Sequence, residues 1–189
     1  MSSRMRLFWA ITLPEQVRER LDRLRQRWSP LLPAAKWVER ENFHLTVKFL
    51  GEVEASLVST LREAVARRVT GLAPFTLEVG GWGTFGRPPR VLWVGVRGDL
   101  EALAGLWRAV EEAMAGFGFA VESRYAAHVT LARLRSPQGL EAVRQRADAD
   151  VREAGLPCRV YVDELCLMVS RLTPQGPHYT RFLQLDLGR

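Results

Sequence analysis

Apolar residues recur with two different periods along the first half of the chain, and the change of period predicts its elements. Strand-forming residues fill 7–13 before a proline, and apolar and polar residues alternate over 75–79. Elsewhere, apolar residues three or four positions apart, such as Val17, Leu21 and Leu24, indicate helices. The predicted order is a strand at 7–13, a helix at 14–28, a strand at 43–50, a helix at 57–69 and a strand at 75–79.

The second half of the chain repeats this order. Its predicted elements are a strand at 91–96, a helix at 100–116, one or two strands within 119–134, a helix at 137–154, and strands at 160–169 and 179–187. An internal repeat of this size predicts an α+β fold of two pseudo-symmetric lobes, with antiparallel sheets facing a central cleft and helices on the outside. We expect one domain over residues 1–189, with the lobes at about 1–86 and 87–189 on either side of a glycine- and proline-rich segment.

The composition is that of a globular protein and narrows the function classes. Of the 189 residues, 47% are hydrophobic and 25% charged, and no apolar run reaches the roughly 18–20 residues of a membrane helix. The net charge of +6 is carried almost entirely by arginine, which allows a polyanionic partner. Two cysteines and three histidines show no zinc-ligand spacing, so we predict no metal and no cofactor. The cysteines suit free thiols in a reducing cytoplasm.

A short pattern of histidine and threonine occurs at the same place in both halves. The first copy is His44-Leu-Thr46 and the second is His128-Val-Thr130. Because successive side chains of a strand point to opposite faces, each histidine shares a face with its threonine, and the apolar residues between them face the helices. One such pattern alone favours a packing role, but two at equivalent positions favour a site in the cleft between the lobes.

The residues around these two patterns resemble a known family. The strings Phe-His-Leu-Thr-Val-Lys-Phe-Leu-Gly at 43–51 and His-Val-Thr-Leu-Ala-Arg at 128–133 are similar to the paired HxTx motifs of the two-histidine (2H) phosphoesterase superfamily. They look like its bacterial and archaeal branch, the RNA 2′,3′-cyclic phosphodiesterases, also called 2′-5′ RNA ligases. The resemblance implies metal-independent hydrolysis of RNA 2′,3′-cyclic phosphate ends to 2′-phosphates, with reversible 2′-5′ ligation. It also implies a cytoplasmic monomer that acts on RNA ends, tRNA fragments among them.

Two histidines suit this reaction, because imidazole titrates near pH 6.5 and one ring can accept a proton while the other donates one. We assign His128 as the base that activates water and His44 as the acid for the leaving 3′ oxygen. The pseudo-symmetry leaves the reverse assignment open. The hydroxyls of Thr46 and Thr130 are expected to donate hydrogen bonds to the non-bridging phosphate oxygens.

Further candidates lie close to the motifs. The resemblance makes Arg133 a phosphate ligand, although strict alternation turns it away from the cleft unless the strand is bulged or ends there. Phe49 occupies the equivalent position of the first half and either stacks a base of the substrate or packs in the core. Lys48 is expected to be an exposed lysine, and Tyr179 to close the cleft. His178 is placed in a loop outside the site, although a threonine lies two residues after it.

Three other functions stay open at this point. The same residues could act on another cyclic nucleotide or on a 2′-5′-linked one. The chain could also be a non-catalytic RNA-end binding protein, although histidines in both motifs favour catalysis. A nucleic-acid binder that acts through charge alone would bind duplexes in a salt-dependent way.

Overall fold

The computed structural model describes residues 3–174 and 176–188. Its helices are α1 (Glu15–Trp28), α2 (Val58–Val69), α3 (Leu100–Ala115) and α4 (Leu140–Glu153). Its strands are β1 (Arg4–Thr12), β2 (Ala35–Trp37), β3 (His44–Glu54), β4 (Phe75–Val79), β5 (Gly83–Phe85), β6 (Val91–Gly98), β7 (His128–Leu134), β8 (Cys158–Val162), β9 (Glu164–Thr173) and β10 (Gly176–Asp186). Single 3₁₀ turns lie at Ser29–Leu31, Arg40–Asn42 and Ala55–Leu57.

The strands form two antiparallel sheets. The first has the order β10-β9-β1-β3, and the second has the order β2-β7-β6-β4-β8 with β5 beside β6. The motif strands β3 and β7 pair with β1 and β6 respectively, which are the opening strands of the two sequence repeats. The predicted α+β architecture is therefore confirmed.

The two repeats exchange strands between the sheets. Strand β4, at the end of the first repeat, pairs with β6 of the second, and β9 of the second repeat pairs with β1 of the first. Strand β2 also lies beside β7. The sheets consequently do not follow the division of the chain near residue 86, because each one takes strands from both sides of it. That residues 1–189 form one domain remains a prediction.

The alternation of the motif strands decides which face each sheet presents to the cleft. Leu45 and Val47 of β3 are buried in the main apolar core, as are Val129 and Leu131 of β7. Burying each such side chain stabilises the fold by about 1.5–3 kcal/mol. The histidine and threonine of each strand are consequently left on the opposite face. No helix within residues 3–174 and 176–188 is long and apolar enough to cross a membrane.

Several boundaries differ from those expected. No strand forms over 119–127, and the segment predicted as one strand at 160–169 is two, β8 and β9, which break at Asp163. Strand β3 continues through Gly51, whose positive φ of 71° lets the chain pass an irregularity in the pairing with β1. Strands β2 and β5 were not predicted, because three residues are too few to show a period.

Candidate active site

A cavity of about 540 Å³ lies between the two sheets, and side chains from both of them line it. This volume is within the range usual for ligand sites, about 300–1,000 Å³. The six residues that the sequence assigned to the site line this one cavity: His44, Thr46, Phe49, His128, Thr130 and Arg133. The fold thus brings together two motifs that lie 84 positions apart in the chain.

Each histidine ring is oriented by the backbone two residues before it. The Nδ1–H group of His44 donates to the carbonyl oxygen of Asn42 at 2.7 Å, and that of His128 donates to the carbonyl oxygen of Ala126 at 2.6 Å. Because a carbonyl oxygen can only accept, Nδ1 carries the proton in both rings. In both neutral rings, Nε2 is therefore the unprotonated nitrogen and the one available for proton transfer.

Aromatic side chains hold the two rings from the side. The ring of Phe8 lies 4.9 Å from that of His44, and the ring of Phe85 lies 4.8 Å from that of His128. Tyr179 adds a third ring, 5.2 Å from His44 in an edge-to-face arrangement. Tyr179 also lines the cavity, and that it closes the cleft remains a prediction.

The surroundings of the two histidines nevertheless differ. The Nε2 atom of His44 lies 2.9 Å from the hydroxyl oxygen of Thr46, which donates to the neutral ring. Burial lowers the pKa of His44 below its ordinary value; the bond to Asn42 opposes this effect, and positive charge on His128 adds to it. His44 is therefore biased towards the neutral state while the cavity holds no anion.

A β-bulge turns Arg133 into the cavity. In the pairing of β6 with β7, Trp93 lies opposite Thr130 and Leu92 lies opposite Ala132, so β7 has one extra residue at Leu131. The alternation shifts by one position after this bulge. Arg133 consequently lies on the same face as Thr130, as a phosphate ligand would require.

Strand β3 carries a bulge at the equivalent place. Ala10 lies opposite Thr46 and Trp9 lies opposite Lys48, so the extra residue is Val47. Phe49 therefore faces the cavity, with 46% of its surface exposed, and core packing is not its role. The guanidinium carbon of Arg6 lies 4.8 Å from the centre of the Phe49 ring.

The same bulge turns Lys48 the other way, and its expected exposure was wrong. Lys48 is only 3% exposed. Its Nζ atom lies 2.9 Å from both carboxylate oxygens of Glu111 on α3 and donates to the carbonyl oxygen of Ala120 at 2.7 Å. The bulge thus places a cation beneath the motif strand, where a carboxylate neutralises it.

The loop that leads into the second motif is fastened to the first. The backbone N–H of Glu122 donates to Glu111 at 3.1 Å, and the hydroxyl of Tyr125 donates to the carbonyl oxygen of Thr46 at 2.9 Å. Burial raises the pKa of Tyr125, which keeps this donor protonated. The segment that precedes His128 is therefore tied to the backbone of Thr46 by a hydrogen bond from Tyr125.

Known proteins resemble this chain in sequence and in fold. The family model of the 2′-5′ RNA ligase superfamily matches residues 13–173. The chain belongs to this superfamily.

Individual relatives are similar over most of their length. The chain is 34% identical to the RNA 2′,3′-cyclic phosphodiesterase of Thermotoga maritima, over 93% of this chain and 91% of that protein. It is 31% identical to the enzyme of the same name from Methanothermobacter thermautotrophicus, over 94% and 96%. Among solved structures, E. coli LigT complexed with 3′-AMP superimposes with a TM-score of 0.78 at 27% identity, covering 99% of this chain and all of that one, 100%.

This superfamily member also places residues in its cavity to which the sequence did not point. His178 lies on β10 and lines the cavity, so its expected loop position was wrong. Its neighbourhood of prolines and glycine is typical of a turn, whereas pairing with Arg171 of β9 makes it a strand. Arg6 and Lys36 line the cavity as well. The sequence holds no signal for these two, because exposed cations are common on any surface.

Asn42 was also missed, and it links the site to the β9–β10 hairpin. Its side-chain amide donates to the carbonyl oxygen of Pro177 at 2.7 Å and accepts from the backbone N–H of Tyr179 at 3.3 Å. Its own carbonyl orients His44. Asn42 thereby positions both the histidine and the aromatic ring that packs against it.

Proposed function

We propose that this chain hydrolyses 2′,3′-cyclic phosphate ends of RNA to 2′-phosphates. The observation that carries the proposal is the convergence of two histidines, one from each sheet, on a single cavity. Each ring has its proton held on Nδ1, and each is paired with a threonine on the same face of its strand. The names of the relatives point to the same substrate, a cyclic phosphate at an RNA end.

The reaction requires one proton to be removed and one to be supplied. Nε2 of His128 takes a proton from water while the water oxygen forms a bond to phosphorus. The bond between phosphorus and the 3′ oxygen breaks, and Nε2–H of His44 protonates that oxygen as it leaves. General acid and base catalysis of this kind contributes about 10²–10⁴-fold.

The hydroxyls and the guanidinium stabilise the charge that develops on the phosphate. Thr46 and Thr130 donate to the non-bridging oxygens, and Arg133 supplies a positive charge. The hydrogen bond between Thr46 and His44 links these roles. When His44 carries a second proton, its Nε2 no longer accepts, and the hydroxyl of Thr46 is released to donate to the phosphate.

The lowered pKa of His44 has a consequence for this assignment. As the acid, His44 must become protonated when the substrate binds, because the negative charge of the substrate stabilises the imidazolium. The reverse assignment, with His44 as base, needs no such step. Under the first assignment His44 protonates the leaving 3′ oxygen, and under the reverse assignment His128 protonates it.

Ligation uses the same site with a different nucleophile. An RNA 5′-hydroxyl replaces water, loses its proton to the same base and forms the 2′-5′ linkage as the 3′ oxygen leaves. We infer that the substrates are single-stranded RNA ends in the cytoplasm, tRNA fragments among them, and that the chain acts as a monomer.

The test is hydrolysis of an RNA with a 2′,3′-cyclic phosphate end in the presence of EDTA, with the product mapped as 2′- or 3′-phosphate. We expect release of the 2′-phosphate by the unaltered protein and its loss in His44→Ala and in His128→Ala. His178→Ala serves as the matched control, since it removes a cavity histidine that has no proposed role. An inactive protein that still binds the RNA end would instead indicate a binding protein, and activity on ADP-ribose 1″,2″-cyclic phosphate alone would indicate a different cyclic substrate.

A further inference from the structure

Two cations face each other at the edge of the cavity beside the second motif. Lys36 of β2 and Arg133 of β7 are directly opposed in the antiparallel pairing, and both line the cavity. Directly opposed residues share a face, with Cβ atoms about 4.5–5.5 Å apart, and like charges at such positions destabilise the sheet. The fold therefore holds an unfavourable pair at this place.

Neither cation has a carboxylate to neutralise it within residues 3–174 and 176–188. Other arginines of the chain do: Arg27 lies 2.6 Å from Glu153, and Arg68 lies 2.6 Å from Glu112. Lys36 and Arg133 form no ion pair of this kind in the described part of the structure. A pair of unneutralised like charges in a concave surface attracts anions, because the cavity concentrates their field.

The carboxylates of the cavity do not cancel this charge. Glu39 lines it but is shared with Arg25, whose guanidinium lies 3.3 Å away. Glu41 is exposed, and Arg6 adds a further positive charge on the side of the first motif. With Lys36, Arg133 and Arg6 as cations, the described lining keeps an excess of positive charge.

The position of Lys36 separates it from the reacting phosphate. In the proposed reaction that phosphate lies between His44 and His128, which line the cavity together with Arg133. Lys36 is on β2, the edge strand, one strand further than Arg133 from the strand that carries His128. A second anion bound beyond the first would lie next to Lys36 and would offset the repulsion within the pair.

We propose that Lys36, together with Arg133, binds the phosphodiester that joins the terminal nucleotide to the one before it. This inference rests on the proposed function and narrows its substrate class. The preferred substrate is an RNA chain of at least two nucleotides with a cyclic end, and a free nucleoside 2′,3′-cyclic phosphate, which has no second phosphate, is a poor one.

The test compares adenosine 2′,3′-cyclic phosphate with the dinucleotide that carries the same cyclic end. We expect Lys36→Ala to lower kcat/KM for the dinucleotide by about tenfold and to leave the mononucleotide nearly unchanged, since a charge-assisted contact is lost in the first case only. The dinucleotide reaction should also become less sensitive to salt in this variant, because a charge–charge contact that salt screens is lost. Lys36→Arg should retain the preference.

Arg62→Ala is the matched control. Arg62 is an exposed cation on α2 and does not line the cavity, so its removal changes the net charge equally without touching the site. Equal losses on both substrates in Lys36→Ala, or no loss on the dinucleotide, would overturn the inference.

Binding of the two 2′-phosphate products, measured by calorimetry, distinguishes this failure from failure of the proposed function. A protein that hydrolyses neither substrate, yet binds the dinucleotide product more tightly through Lys36, retains the phosphodiester site and loses the proposed activity. Equal binding of both products, unaffected by Lys36→Ala, would overturn the inference irrespective of turnover.

Discussion

Strands β3 and β7 make the two sides of the cavity from one pattern, and they differ in the side chain that comes after it. Each has His-x-Thr, one extra residue in a bulge, and then a side chain turned into the cavity. That side chain is Phe49 on β3 and Arg133 on β7. At this position one side is consequently aromatic, with Phe8 directly opposite Phe49, and the other is cationic, with Lys36 opposite Arg133.

Because of this difference, the two sides suit different parts of a nucleotide. A flat aromatic side suits a base, and a cationic side suits phosphate. The buried face differs as well: Lys48, just after the bulge of β3, is held by Glu111, whereas its counterpart on β7 is Ala132. The repeat thus supplies two equivalent histidines for the acid and base roles. The single position after each bulge differs between the two strands and suits a different part of the ligand on each side.

The largest expected effect separates the roles of the two histidines. We expect His44→Ala to lose about 10²–10⁴-fold on the natural cyclic phosphate but far less when sulfur replaces the 3′ oxygen, because a thiolate leaves without a proton. His128→Ala should be equally impaired on both substrates. Steady-state rates on the two substrates measure this, and rescue of His128→Ala instead would exchange the assignments.

A second prediction concerns Lys48, whose counterpart on the buried face of β7 is Ala132. Lys48→Ala leaves the carboxylate of Glu111 unpaired in the core, and breaking a buried pair in this way costs about 3–5 kcal/mol. Urea denaturation measures the loss of unfolding free energy. The double variant Lys48→Met with Glu111→Met is the control and should recover most of it. A Lys48→Ala protein as stable as the original would contradict the structural role of the pair.

A third prediction sharpens the contrast between the aromatic and the cationic side. Arg133→Ala should lower kcat/KM about 10–100-fold on any cyclic phosphate, since hydrogen bonds to charged groups contribute about 1.5–3 kcal/mol. Phe49→Ala should lose about 5–100-fold only on substrates with a base, because stacking contributes about 1–3 kcal/mol per base. Methyl riboside 2′,3′-cyclic phosphate, which lacks a base, is the discriminating substrate. Equal losses of kcat/KM in both variants on this substrate would contradict the proposed division into an aromatic and a cationic side.

The smallest effect concerns the pH dependence of stability. Because burial lowers the pKa of folded His44 below the unfolded value near 6.5, the unfolded chain binds more protons over the interval between the two values. Folding stability from this group therefore falls as pH falls from about 6.5 towards the folded pKa. We expect His44→Asn to lose less stability than the original protein between pH 7.5 and pH 5.5, measured by urea midpoints. An identical decline of folding stability in both proteins would contradict the lowered pKa of His44.

Local patterns in the chain were sufficient for the elements that position the site. The alternation around His44 and His128 and the helical periods of α1 to α3 predicted their places closely, because each element buries its own apolar face. The repeat predicted two related sheets. The motifs predicted which residues meet, since equivalent positions in a repeat converge when the sheets face each other.

Other features depended on contacts between distant parts of the chain. Whether Arg133 faces the cavity depends on a bulge at Leu131, which exists only in the pairing with β6. Lys48 resembles a surface lysine until Glu111 is brought against it. His178 resembles part of a turn until β9 pairs with it. In each case the deciding partner is remote in sequence or lies on another strand.

By itself, the sequence determined the two motifs, the helices and strands that carry them, and the chemistry that paired histidines and threonines can perform. These properties are local, because they follow from side-chain types and from the period of burial along one element. Only the tertiary structure decided the exchange of strands, the two bulges, and the pairing of Lys36 with Arg133. The physical reason is that register and strand order are set by hydrogen bonds and packing between segments, which no single segment encodes.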